Sequence, residues 1–269
     1  MLIDGKAIAA ELIKELRATK KSFTGKKVLS ILVGNNPASL NFLERKGRVA
    51  EELGVSFSIQ KIAPEISETA LIAEVKKITE DERVIGAIVQ LPIPIEDIDP
   101  QKVLDAVPYE KDIDCLGEKR LREFFKNPLS AVIFPPAVST VRRILSYVGI
   151  ADVRGKRVTM YGFGRLVGKP VAAWVEASGA NVTVLRRNST QEEVTTALGG
   201  SDIIVTGVGQ KNLVNVEAIR PGSVVIDFGF PADIDANAAH TRGIIVTPTP
   251  GGTGPVLIAE LFKNLYTLN

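Results

Sequence analysis

Residues 155–170, Gly-Lys-Arg-Val-Thr-Met-Tyr-Gly-Phe-Gly-Arg-Leu-Val-Gly-Lys-Pro, set an apolar strand directly against a glycine turn and a helix start. Val158, Met160 and Tyr161 suit the core of a strand, and Gly162, Gly164 and Gly168 follow at once. Glycines there let the backbone come close to a pyrophosphate, while the first N–H groups of the new helix point at it. The spacing Gly-x-Gly-x-x-x-Gly is one residue longer than the common dinucleotide fingerprint, so a glycine turn without a ligand is the alternative.

The chain around this stretch alternates strand and helix signals. Ile8, Leu12, Ile13 and Leu16 recur at helical spacing over 6–20. A buried strand is predicted over 28–33, then a Gly-Asn-Asn-Pro turn with Ser39 as a possible helix cap, and a helix over 39–53. Strand 55–62, helix 67–79 and strand 84–91 continue the series. Residues 99–130 carry no clear period. Phe134-Pro-Pro-Ala137 breaks the chain and marks a domain boundary, because Pro-Pro resists both regular structures. Beyond a helix over 138–148, a second series follows. Strands are predicted over 157–161, 181–185, 202–206, 223–228 and 244–247, with helices over 166–178 and 190–198 and a last amphipathic helix over 256–267. Such alternation implies βαβ units and mostly parallel sheets, an α/β fold in two domains.

Composition narrows the function classes. In 269 residues, 45% hydrophobic and 24% charged, there is core enough for two modest domains, and a net charge of +2 is too small to point to nucleic acid. No apolar run is long enough to span a bilayer, and the first residues lack a signal-peptide pattern, which fits a cytosolic protein. A single cysteine, Cys115, and a single histidine, His240, argue against a disulfide, a cysteine zinc cluster, a multi-histidine metal site or a Ser-His-Asp triad. His240 reads as a surface residue, and no metal site is expected.

Several polar residues sit where chemistry is possible. The strand 181–185 ends in Arg186-Arg187-Asn188-Ser189. In a dinucleotide domain this strand end faces the adenosine ribose. An acid there favours NAD, whereas arginines with Ser or Asn hold a 2′-phosphate, so NADP is favoured over NAD unless the loop is merely solvated. Gln90 is the one polar side chain at the end of the apolar stretch Gly86-Ala-Ile-Val-Gln-Leu-Pro-Ile-Pro94, a place where α/β sheets bind ligands; a capping role is the alternative. Lys46 lies inside the 39–53 helix on the face of Phe42, where a lysine is ordinarily solvated. Asp112 and Asp114 would share a side if their segment is extended, or form an acidic surface loop. Pro248-Thr-Pro-Gly-Gly-Thr-Gly-Pro255 mixes fixed and permissive φ and reads as a shaped loop; with the 162–168 turn it suggests a cleft between the domains.

Taken together, Pro37-Ala-Ser39 with Lys46, the Gln90-Leu-Pro92 stretch, Lys111-Asp-Ile-Asp114, Leu166-Val-Gly-Lys-Pro170, Arg220-Pro-Gly-Ser-Val-Val-Ile-Asp-Phe-Gly229 and Thr247–Pro255 resemble the methylenetetrahydrofolate dehydrogenase/methenyltetrahydrofolate cyclohydrolase (FolD) family over nearly the whole chain. The resemblance implies a folate-binding catalytic domain over 1–137, rejoined by a C-terminal helix over 253–269. It implies a Rossmann-like NAD(P)-binding domain over 138–252, an active-site cleft between the two, and a homodimer. It implies oxidation of 5,10-methylenetetrahydrofolate with NADP, NAD being possible, and hydrolysis of the methenyl product to 10-formyltetrahydrofolate. Lys46 would be the cyclohydrolase acid/base, Gln90 its modulator and Asp114 the holder of the pterin. Phe42, Leu91, Pro92, Pro250, Gly251 and Gly252 would line the folate, and Gly162, Phe163, Gly164, Arg165, Arg186, Arg187, Asn188 and Ser189 the cofactor.

The chain departs from the family pattern at four places. Phe42 stands for a tyrosine and Cys115 for a glycine. Pro135-Pro-Ala-Val138 stands for Pro-Cys-Thr-Pro, and Gly162-Phe-Gly164 for Gly-Arg-Ser, so Arg165, Arg186 or Arg187 would have to replace the turn arginine. Three readings other than the bifunctional enzyme follow: a monofunctional dehydrogenase, a non-catalytic folate- or nucleotide-binding homologue, or another two-domain Rossmann oxidoreductase of the shikimate dehydrogenase kind.

Overall fold

A computed structural model describes all 269 residues. The chain divides into two compact units, neither of them one continuous stretch. An N-terminal unit comprises Glu11–Asn127, Ala131–Pro136 and Ile258–Asn269; a C-terminal unit comprises Met1–Ala10, Pro128–Ser130 and Ala137–Leu257. Residues 1–10 thus go with the C-terminal unit rather than with the segment that follows them. Backbone pairing explains this: the Ile3 N–H donates to the Val246 carbonyl and the Val246 N–H to that of Met1, both at 2.9 Å.

In chain order the first elements are α1 (Gly5–Ala18), β1 (Lys27–Val33), α2 (Pro37–Glu52), β2 (Ser56–Ile62), α3 (Glu68–Thr79) and β3 (Val84–Val89). The three strands form a parallel sheet in the order β2-β1-β3. Leu29, Ile31 and Val33 of β1 alternate onto one face, where they pack with Leu71 and Val75 of α3 and with Val84, Ala87 and Val89 of β3. The cap of α2 is Asn36, whose side chain accepts from the Ser39 N–H, with Pro37 in the first turn; Ser39 is the residue capped, not the cap. The irregular 99–130 region contains the five-residue α4 (Pro100–Leu104) and α5 (Glu118–Lys126), whose buried face carries Arg120 one turn before Phe124.

The C-terminal unit holds α6 (Pro136–Tyr147), which begins at the second proline rather than after it. It continues with β4 (Arg157–Tyr161), α7 (Gly168–Ala177), β5 (Asn181–Leu185), α8 (Gln191–Gly200), β6 (Ile203–Thr206), β7 (Val224–Asp227), α9 (Ala236–Thr241) and β8 (Ile245–Val246). Proline is well accepted in a first helical turn, where its missing N–H has no partner to lose. All five strands are parallel, in the order β5-β4-β6-β7-β8, so the chain reverses its direction of sheet growth at β4. Thr190 and Glu193 make a reciprocal capping box at the start of α8. The exposed His240 lies on α9, a helix the sequence reading passed over.

The last helix, α10 (Thr253–Leu268), is longer at its start than its apolar spacing indicates. Its first residues belong to the C-terminal unit, where the Thr253 hydroxyl donates to the Asp227 carbonyl at 2.8 Å. From Ile258 on it completes the N-terminal core. Leu261, Phe262 and Leu265 are fully buried, and Asn264 Nδ2 donates to the carbonyls of Ile113 and Phe134, each at 2.9 Å. No helix is long and apolar enough to cross a membrane.

Candidate active site

In the β2-β1-β3 sheet the chain changes direction at β1, so the carboxyl ends of β1 and β3 flank the place where such a sheet accepts ligands. Gln90 follows β3 directly, its N–H bonded to the Ile31 carbonyl of β1 at 2.9 Å. Lys46 comes from α2, the helix after β1. The buried residues of α2 are Ser39, Leu43, Lys46 and Ala50, so the lysine occupies a position in the apolar stripe and is only 3% exposed. Lys46 Nζ donates to Gln90 Oε1 at 3.3 Å and lies 4.9 Å from the centre of the Phe42 ring, one turn back on the same helix. Gln90 Nε2 in turn donates to the Leu91 carbonyl at 2.8 Å, which fixes which end of the amide meets the lysine.

The segment 111–117 is not extended but closed on itself, and its three charged residues separate in role. Lys111 Nζ donates to the carbonyls of Thr79 and Asp81 at 2.6 and 3.0 Å, capping the end of α3. Buried Asp112 accepts from the N–H groups of Leu116 and Gly117 at 3.3 and 2.9 Å. Asp114, half-buried, is left to interact with Lys46. Burial lowers the Lys46 pKa, an effect that Asp114 partly opposes; burial raises the Asp114 pKa, an effect that Lys46 partly opposes. Cys115 takes a φ of +56°, the left-handed region that favours glycine, with its thiol buried against Asn264. Lys46, Gln90, Asp114 and Phe42 therefore form one group. Leu91 joins it through its carbonyl, and exposed Pro92 follows the cis bond after Leu91.

The second arrangement lies in the C-terminal unit, outside the carboxyl ends of β4 and β6. A cavity of about 320 Å³ is lined by Tyr161, Gly162, Gly164, Arg165, Thr206 and Phe228 among others. The glycines divide the work. Gly162 has a φ of +92°. A Cβ on Gly168 would stand 2.4 Å from the Gly162 carbonyl oxygen and 2.6 Å from Phe163 Cα, so α7 can rest on the turn only without a side chain. A Cβ on Gly164 would meet no protein atom within 4 Å, so that backbone is open to an approaching ligand. Arg186, just past β5, lays its guanidinium 4.4 Å from the centre of the Phe163 ring, and its N–H donates to Ser189 Oγ at 3.1 Å. Arg187 and Asn188 are exposed on the same loop, which carries no acid. Gly turn, open backbone and basic strand end fit a dinucleotide with a 2′-phosphate.

Sequence reasoning missed a pair of carboxylates beside this cavity. Asp227, at the end of β7, accepts from the N–H groups of Gly229, Asp233 and Ile234. Asp233 accepts from the Thr206 hydroxyl at 2.6 Å and from the N–H groups of Val208 and Gln210. Together they fasten the loops that follow β6 and β7. Burial, and secondarily Asp233, push the Asp227 carboxyl up to about 6 against the pull of its backbone donors. The signal was the one that flagged Gln90: a polar residue ending an apolar strand, here Val224-Val-Ile-Asp227. In the same unit, Pro250 is exposed after a cis bond and Gly251 has a φ of +102°. Gly252 is buried, and its oxygen would lie 1.7 Å from a Cβ on Gly5, so close backbone packing occupies it.

Known proteins resemble the chain in both of its parts. The family model for the tetrahydrofolate dehydrogenase/cyclohydrolase catalytic domain matches residues 3–114, and that for the NAD(P)-binding domain of the same family matches residues 135–269. The bifunctional protein FolD of Halothermothrix orenii is 32% identical over 274 residues, covering 98% of this chain and 95% of the relative. Among solved structures, the Trypanosoma brucei methylenetetrahydrofolate dehydrogenase-cyclohydrolase complexed with NADP and inhibitor has a TM-score of 0.89 at 30% identity, covering 100% of this chain and 96% of that one. The bifunctional FolD enzyme of Campylobacter jejuni has a TM-score of 0.88 at 27% identity, covering 100% and 98%.

Proposed function

This chain belongs to the tetrahydrofolate dehydrogenase/cyclohydrolase family, and we propose that it performs both reactions of the name: oxidation of 5,10-methylenetetrahydrofolate to the methenyl form with NADP, and hydrolysis of the methenyl form to 10-formyltetrahydrofolate. The observation that carries the hydrolytic half is the buried lysine whose ammonium donates to one oriented amide oxygen.

NADP, when bound, accepts a hydride; Gly162, Gly164, Arg165 and the 186–189 loop would hold it, with the glycine turn at its pyrophosphate. The methylene carbon loses the hydride with the adjacent nitrogen lone pair stabilising the cation formed, so the protein's share is orientation rather than proton transfer. Phe42, Leu91 and Pro92 would pack on the folate and Asp114 would accept from its pterin N–H groups; Pro250 and Gly251 belong to the same reading, whereas Gly252 is taken up by packing against Gly5. Hydrolysis differs, because protons must move. Water attacks the methenyl carbon, and the Lys46 amine takes its proton. The bond from that carbon to N5 then breaks, N5 regains a proton, and the remaining oxygen becomes the formyl carbonyl; one proton is released overall. A cationic substrate further disfavours the ammonium form of a buried lysine, which makes the amine available as a base. Gln90 keeps that amine aimed. A homodimer is part of the same reading, and light scattering on the purified protein checks it.

The decisive experiment follows reduced-cofactor formation from methylenetetrahydrofolate and, separately, the decay of methenyltetrahydrofolate. Wild-type protein is expected to show both. Lys46→Ala is expected to lose hydrolysis by about 10²–10⁴-fold while hydride transfer partly survives. Hydrolysis that persists in that variant would remove Lys46 from its role.

A further inference from the structure

We infer that Phe163 selects the phosphorylated cofactor by holding Arg186 over its ring, which makes Arg186, and not Arg165 or Arg187, the side chain that reads the 2′-phosphate. The inference rests on the dinucleotide reading of the C-terminal unit.

Register sets the geometry. Tyr161 of β4 pairs with Leu185 of β5, so the turn after one strand and the loop after the other leave the sheet side by side. Phe163 is the second residue past Tyr161 and Arg186 the first past Leu185. Their side chains meet with the guanidinium carbon 4.4 Å from the ring centre. The Arg186 N–H bonded to Ser189 Oγ fixes where that side chain starts, and the half-buried Phe163 fixes where it ends.

A guanidinium held over a ring spends none of its N–H donors on an acceptor there, so they stay available in the fork that matches two phosphate oxygens. The contact also removes beforehand much of the rotamer freedom that a free arginine loses on binding an anion, so the docked side chain is pre-organised. Arg165, Arg186 and Arg187 are all exposed, and of the three Arg186 is the one that lies over a ring. In the family pattern an arginine stands in the glycine turn itself. Here the turn contributes the aromatic face and the charge arrives from the end of β5, so the two residues have exchanged tasks. Phe163 is then a positioning residue, acting through Arg186 rather than on the ligand.

Titration calorimetry with 2′,5′-ADP and with 5′-AMP reads this without turnover. Wild-type protein is expected to prefer 2′,5′-ADP by about 10- to 100-fold, the range for charge-assisted hydrogen bonds to one group. Arg186→Ala should bring the two ligands within about 3-fold while 5′-AMP binding holds; Arg187→Ala should keep most of the preference. Phe163→Leu should reduce the preference by about 2- to 5-fold, as loss of an exposed cation–π contact does, and Phe163→Trp should retain it. Preference that vanishes with Arg187→Ala or Arg165→Ala but survives Arg186→Ala overturns the inference. So does a Phe163→Leu variant that weakens both ligands equally, which marks a structural role only. Equal binding of both ligands by wild-type protein sinks the inference alone, whereas binding of neither sinks the dinucleotide reading as well.

Discussion

Lys46 shows what a single residue costs and contributes. Its ammonium is buried on α2 with one hydrogen bond, one ring and one carboxylate for company. Burial lowers its pKa below that of the unfolded chain, so the folded protein binds fewer protons than the unfolded one over that interval. Stability therefore rises as pH climbs through the folded pKa toward the ordinary lysine value. The hydrolysis rate should climb over the same rise, as the amine frees, and then level off; Lys46→Arg, which cannot deprotonate, should lose that limb altogether. A rate flat across the titration would contradict a base at this position. Lys46→Met should raise stability in calorimetry, because it removes a buried ammonium that holds a single hydrogen bond. Asp114→Asn should lower it, because the ammonium then loses its counter-charge. Gln90 was legible as a polar residue closing an apolar strand. Lys46 was less so: Ser39, Leu43 and Ala50 mark the stripe that contains it only once the helix start is known, and that start depends on Asn36, which the sequence reading passed over for Ser39. Cys115 was visible as a departure from glycine, but its left-handed φ belongs to the closed 112–117 loop and needs the structure.

At the scale of elements, the alternation of strands and helices and the parallel sheets were readable because apolar runs punctuated by Gly and Pro have few other uses. The short α4 and α9 were not, since fewer than two turns carry no period to detect, and in α5 an arginine, Arg120, shares the buried face with Phe124 and breaks the apolar stripe. The glycine turn before α7 separates two demands that the sequence presents alike. Gly168→Ala should cost about 1–3 kcal/mol in thermal unfolding and weaken dinucleotide binding with it, because its Cβ would strike the Gly162 carbonyl oxygen. Gly164→Ala, with open space before its Cβ, should leave the melting temperature nearly unchanged and still weaken binding by about 10-fold or more, because the added methyl stands where a ligand's backbone approach is made. If calorimetry finds both variants equally unstable, the division of labour between the glycines is wrong.

The whole molecule is organised by two units that share the chain unevenly. The N-terminal unit needs residues 258–269, since Leu261, Phe262, Leu265 and Tyr266 fill its core and Asn264 secures the carbonyl beside Asp114. A fragment of residues 1–136 is accordingly expected to lack a cooperative unfolding transition, while the same fragment joined through a short linker to residues 253–269 should recover one; circular dichroism on heating distinguishes them. A sharp transition in the bare fragment would show that the last helix is dispensable. The Pro-Pro break announced a boundary near 137 and the family resemblance implied a last helix that rejoins the first domain, yet the transfer of residues 1–10 to the other unit was hidden, because backbone pairing such as that of Ile3 with Val246 leaves no mark in side-chain pattern.

That late helix also sets an order of events during synthesis. Domains emerge and fold from the N-terminus onward as translation proceeds. Here the unit that carries Lys46, Gln90 and Asp114 has nearly all of its residues made first, yet it lacks residues 258–269 until the last of them is translated. Until then the stretch of β3 around Gly86, against which Leu265 packs, stays uncovered, and the segment that carries the reaction waits longest for its last piece.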